Sequence, residues 1–122
     1  VSLDAQELLM ELVGGSGTAA PRLAQTRPTP DEAEDWFAQL RRAMRGLAAR
    51  GWAHGDLSAY NVLVDDGRVV LIDWPQVVDI VGNPCGMEYL QRDCVNVCTW
   101  FARAGVEVDP ETLFAELVAE VF

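Results

Sequence analysis

Thr29-Pro30-Asp31-Glu32 is the start signal of a long helix, and the residues after it leave the chain few ways to fold. The Thr29 hydroxyl is placed to accept from the amide of residue 32, Glu32 to reach back, and proline at the first helical position forfeits no hydrogen bond. Ala33, Trp36, Phe37, Leu40, Met44, Leu47 and Ala48 then recur at three- and four-residue spacing until Gly51, which stops the helix. A helix with one apolar stripe must bury it against other elements. The 122 residues, 50% of them hydrophobic, allow one core of that kind and leave no room for a second full domain.

The covering elements are legible in turn. Residues 61–64 and 68–72 are short runs of Val, Leu and Ile around Asp65-Asp66-Gly67, whose Asp-Gly step marks a tight hairpin. Asn83-Pro84 opens a second helix with Met87, Leu90, Cys94, Val97 and Phe101 on one face, closing near Gly105. Asp109-Pro110-Glu111 caps a third, which carries Leu113, Phe114, Leu117, Val118 and Val121. Upstream, residues 5–13 form an apolar run that suits a strand and equally a helical turn, and the segments at 14–18 and 27–30 are Gly- and Pro-broken loops. The fold class is α+β, mainly helical, with a short β-hairpin and no internal repeat.

Charge excludes some functions. Nineteen acidic residues against nine basic ones leave a formal charge of -10, which repels phosphate backbones and anionic membranes, so no direct nucleic-acid binding is expected from this segment. Arg41, Arg42, Arg45 and Arg50 share the first helix and read as a solvated face. No apolar stretch approaches the roughly 20 residues of a bilayer crossing, so the expected location is cytoplasmic. Cys85, Cys94 and Cys98 are too few and wrongly spaced for a zinc site with the single His54, and are expected to be free thiols. The chain opens on Val1 inside an apolar run and is expected to be part of a longer protein.

Chemistry concentrates in His54-Gly55-Asp56-Leu57-Ser58-Ala59-Tyr60-Asn61 and in Ile72-Asp73-Trp74. If residues 66 and 67 make a two-residue turn, position 65 faces 68 and position 61 faces 72, so Asn61 and Asp73 share one end of the hairpin. The short loop before Asn61 keeps Asp56 at that end as well. Two carboxylates and a carboxamide are hard oxygen donors that suit Mg²⁺ (or Mn²⁺), an ion that completes its shell with substrate phosphate oxygens. In phosphoryl transfer one Asp orients the attacking group while an Asn and a second Asp hold the metal, and the Asp56-to-Asn61 spacing is that of the protein-kinase catalytic loop. Each residue alone reads as a turn or strand-end residue; the three in register do not. His54 is expected to pack beneath the loop rather than to transfer protons.

HGDLSAYNVLV, LIDWPQVVD and NPCGMEYLQRDCVNVCTWF together resemble the RIO-type atypical serine/threonine protein kinases, over most of the chain. The resemblance implies a kinase-like C-terminal lobe at 29–122 and, at 1–28, the hinge strand and connector that join it to an N-terminal lobe absent from this chain. It implies Asp56 as the catalytic aspartate, Asn61 as a metal ligand, and Asp73 as both metal ligand and possible phosphoryl acceptor. ATP is the implied substrate, its adenine edge met at Glu11 and Val13 beside Met10, above a floor of Leu63 and Ile72. Partners in ribosomal subunit maturation, and an ATPase-like output, are implied in the same way. Gly55 stands where ordinary kinases carry an arginine, Trp74-Pro75 follows Asp73, and about ten residues separate Asp73 from the next helix, too few for a long activation loop. Within the family pattern Ala59 replaces the usual Glu, and Cys85 a common basic residue.

Two other readings compete. Aminoglycoside and choline kinases share the HGD, Asn and IDW positions but usually read HGDLHPGN, where this chain has Ser58-Ala59-Tyr60. Alternatively, lacking a Gly-rich loop, a strand lysine and a helix glutamate, this segment by itself is a non-catalytic kinase-like lobe, inactive without the rest of the clamp.

Overall fold

The computed structural model describes residues 20–72 and 77–122. Of the hinge strand and connector expected at 1–28, residues 1–19, including Met10, Glu11 and Val13, lie outside the described residues, as does Asp73.

Helix α1 spans Pro30–Ala49, and its start is the capping box read from the sequence: Glu32 N–H donates to Thr29 Oγ1 at 3.2 Å and Thr29 N–H to Glu32 Oε1 at 3.0 Å. Its stripe is buried as expected, except that Phe37 is only partly covered, resting edge-on against Phe101 at 5.3 Å between ring centroids. Gly51 follows with φ 82°, a left-handed conformation that glycine adopts without the Cβ penalty.

Strands β2, Val62–Asp65, and β3, Arg68–Leu71, form the expected antiparallel hairpin with Asp65 opposite Arg68. Asp66 and Gly67 carry φ of 51° and 80°, the two positive values of a type I′ turn. Val62, Val64 and Leu71 join the main core, while Leu63 and Val70 are buried on the ribbon's other face. Gln39 of α1 pins the hairpin tip: its Oε1 accepts from Val69 N–H at 2.9 Å and its Nε2 donates to the Gly67 carbonyl at 2.8 Å.

A second ribbon was not anticipated. Strand β1, Trp52–Ala53, pairs antiparallel with β4, Val78–Asp79, so that the ribbon brackets the 54–61 loop and the hairpin in sequence. Two-residue strands carry no periodicity to read. The loop expected at 27–30 is preceded by a 3-10 turn, Leu23–Gln25, which lies against the 57–60 loop through Ala24 N–H to the Ala59 carbonyl at 2.9 Å.

Helix α2, Gly86–Arg103, starts later than Asn83-Pro84 suggests. Residues 80–85 coil into turns first, and Gly86 lies so close to Ile80 that an added Cβ would sit 2.1 Å from its carbonyl oxygen. Met87 consequently falls 37% exposed instead of joining the core. Helix α3, Pro110–Val121, is capped by Asp109, which accepts from Thr112 N–H at 3.2 Å. It packs on both α1 and α2, burying Leu113 and Leu117. Arg41 and Arg45 keep the solvent exposure expected of them and also pair with Glu116 and Glu120 of α3, each at 2.6 Å.

Candidate active site

The loop 54–61 is held from below by one helix. Asp93 of α2 is 1% exposed, and its two carboxylate oxygens accept separately from Gly55 N–H at 2.8 Å and Leu57 N–H at 3.0 Å. Arg92 donates to the Gly55 carbonyl at 2.6 Å, and Asn96 to the Leu57 carbonyl at 3.1 Å. Three side chains within about one helical turn thus satisfy both backbone groups of Gly55 and of Leu57. A loop so anchored cannot move without leaving buried polar groups unpaired, at about 1–3 kcal/mol each.

Gly55 itself has φ 92°, which explains in backbone terms why no arginine stands there. Leu57 is fully buried between the clamp points and seats the loop in the core. Asp56, between two clamped residues, points outward and is exposed.

His54 links loop and hairpin. Its Nδ1 accepts from Asp56 N–H at 3.3 Å, so the ring proton resides on Nε2, which donates to the Ile72 carbonyl. At 1% exposure it packs beneath the loop. Ile72 N–H donates to the Asn61 carbonyl at 3.0 Å, which puts position 61 opposite 72.

Asn61 is 8% exposed, and its Nδ2 donates to the Asp56 carbonyl. That bond fixes the amide orientation and leaves Oδ1 with no hydrogen bond among the described residues, the end of the group suited to a hard cation. The structure therefore ties the Asn61 side chain to the backbone of Asp56. Among the described residues no three His, Cys, Asp or Glu side chains gather into a metal cluster of their own. Of the expected nucleotide contacts, Leu63 is buried in β2, and Ile72, the residue after β3, is half-buried.

Sequence reasoning gave no roles to Arg92, Asp93 and Asn96. The signal was present: Asp93 falls on the buried stripe beside Leu90, Cys94 and Val97, where a carboxylate is tolerated only if it is hydrogen-bonded. Burial pushes the Asp93 carboxyl up from the usual carboxylate range, against the lowering pull of the two N–H donors, His54 and Arg92. Its neighbour Cys94 is pushed up to about 12, mainly by burial, so it is an inert packing thiol.

The sequence model of the RIO domain matches residues 1–113. The chain belongs to the RIO domain family. It is 38% identical over 114 residues to the RIO-type serine/threonine-protein kinase Rio1 of Haloferax volcanii, covering 93% of this chain and 38% of that protein. The corresponding RIO-type protein of Methanocaldococcus jannaschii is 37% identical over 108 residues, 88% of this chain and 36% of its own length. The serine/threonine-protein kinase RIO1 of Caenorhabditis elegans is 37% identical over 102 residues, 83% of this chain and 20% of its own. This RIO chain thus spans well under half the length of these relatives. Among its described residues no helix is long and apolar enough to cross a membrane.

Proposed function

We propose that this chain is the catalytic and metal-binding part of a RIO-type atypical serine/threonine kinase, a cytoplasmic protein that transfers the terminal phosphoryl group of ATP with Mg²⁺. In this reading 1–28 is the hinge and connector, 29–122 the C-terminal lobe with the hairpin that carries the site, and the Gly-rich loop and lysine come from elsewhere in the protein. The observation that carries it is the triple clamp from α2, which fixes Gly55 and Leu57 so that Asp56 projects next to Asn61.

Asp56 orients the attacking hydroxyl and accepts its proton, a task for an exposed carboxylate on an immobile loop. Asn61 Oδ1 and Asp73 hold the metal, and Asp73 is also the residue the resemblance implies as phosphoryl acceptor. Bound Mg²⁺ neutralises charge on the phosphate oxygens and orients them. Leu63 and Ile72, with Met10, Glu11 and Val13, receive the adenine. A small-molecule phosphotransferase has no observation in its favour, since the named relatives are RIO-type or serine/threonine-protein kinases.

The test uses the full-length protein. Asp56→Asn is expected to leave Mg²⁺-ATP affinity unchanged by calorimetry while lowering turnover by about 10²- to 10⁴-fold. Asp73→Asn is expected to weaken Mg²⁺-dependent nucleotide binding itself. Wild-type turnover in the first variant, or wild-type affinity in the second, removes that residue from its role.

A further inference from the structure

Nine basic residues, all arginine, occur in the chain. Arg41 and Arg45 are in ion pairs, and Arg22, Arg50 and Arg92 donate to backbone carbonyls. Arg27, Arg42, Arg68 and Arg103 have no such partner among the described residues. Two of these four meet in one place. Arg27 and Arg103 face a cleft of about 350 Å³ whose remaining walls are Thr26, Pro28, Trp100 and Ala104.

The cleft continues the clamp. Arg92 and Asn96 hold the catalytic loop, and Trp100 and Arg103 follow them on α2 at four- and three-residue spacing, on the same face of the helix. At about 1.5 Å per residue, the Trp100–Arg103 stretch lies roughly 6–10 Å along the axis beyond the side chain that holds Leu57. The opposite wall, Thr26–Pro28, directly follows the 3-10 turn that touches Ala59, and Thr26 Oγ1 is fixed by donating to the Leu23 carbonyl at 2.7 Å. By that axial offset the cleft lies on the order of 10 Å, about three extended residues, along α2 from the side chain that clamps the Asp56 loop.

Arg103 in the last turn of α2 also interacts favourably with the helix dipole, which accounts for that arginine but not for Arg27 across the gap. Two arginines without a partner among the described residues line one cleft with Trp100 on a body of charge -10, a combination whose chemistry suits a carboxylate on a chain with apolar neighbours.

We propose that the Arg27–Trp100–Arg103 cleft docks an acidic segment of the protein substrate, seating an Asp or Glu about three residues from the hydroxyl that Asp56 activates. This rests on the protein-kinase reading above, and it assigns that reading a substrate class: serine- or threonine-containing segments with acidic flanks.

Fluorescein-labelled serine peptides with Glu or Gln flanks, titrated into the full-length protein without ATP and followed by anisotropy, test the cleft by itself. The Glu peptide is expected to bind about tenfold tighter than the Gln peptide, and Arg27→Gln/Arg103→Gln to abolish the difference. Arg27→Glu/Arg103→Glu is expected to reverse it in favour of a Lys-flanked peptide. Equal binding of the Glu and Gln peptides overturns the proposal, as does discrimination that survives the double variant. Displacement by inorganic phosphate as efficient as by unlabelled Glu peptide also overturns it, reassigning the cleft to small anions. Magnesium-dependent phosphoryl transfer to the same serine peptide is measured in parallel on wild-type protein. Its absence with discrimination intact would sink the kinase reading and leave the cleft standing, whereas its presence without discrimination would sink the cleft alone.

Discussion

Asp93 does at the residue scale what a loop of mostly small and polar residues cannot do for itself. Each carboxylate oxygen receives one N–H, so replacement by Asn turns one acceptor into a donor facing a donor. Asp93→Asn is expected to cost about 1–3 kcal/mol in stability and to lower turnover by roughly 10- to 10²-fold, with the KM for ATP little changed. The pH dependence separates this role from simple packing. Because burial raises its folded-state pKa above the unfolded value, Asp93 binds its proton more tightly in the folded chain, so its contribution to stability falls as pH rises from about 4. Urea unfolding of both proteins across that range should show this slope in wild type and not in the variant; identical slopes would contradict the assignment.

Elements with strong local chemistry were legible: the Thr29 and Asp109 caps, the α1 stripe and the Asp66-Gly67 turn all stand where the sequence puts them. Elements defined by contacts distant in sequence were not. The β1–β4 ribbon, the Gln39 latch and the Asp93 clamp each join segments far apart along the chain, and no periodicity encodes them. Of the site, Asp56 and Asn61 were singled out by their spacing, and the Asn61 amide bonds the Asp56 backbone carbonyl, whereas the helix that clamps their loop was read only as a packing element. The late start of α2 has a cause that a Pro-based start signal misses, the close approach of Gly86 to Ile80. Two glycines should therefore respond oppositely to alanine. Gly46→Ala, in mid-helix with nothing within 4 Å of the new methyl, is expected to stabilise by about 0.5–1 kcal/mol, and Gly86→Ala to destabilise by about 1–3 kcal/mol or more. Thermal unfolding monitored by circular dichroism reads both signs directly.

Among the described residues, three helices and two small ribbons surround one core, and the 54–61 loop runs between the ribbons on a support formed by α2. This division of labour suits phosphoryl transfer, where the protein's work is mostly to position groups around charge. Packing of α3 against both α1 and α2 keeps that support from shifting, and the acidic exterior leaves the Arg27–Arg103 cleft as a local exception. The central claim is that one metal–nucleotide site is built on the hairpin end by Asn61 and Asp73, with Asp56 beside it. A crystal of the full-length protein grown with Mn²⁺ and a non-hydrolysable ATP analogue tests it through the anomalous signal of the metal. We expect an anomalous peak in direct coordination range, about 2 Å, of Asn61 Oδ1 and the Asp73 carboxylate, with the Asp56 carboxylate facing the terminal phosphate. A metal peak elsewhere, or an Asp73 side chain turned away from the nucleotide, would contradict it.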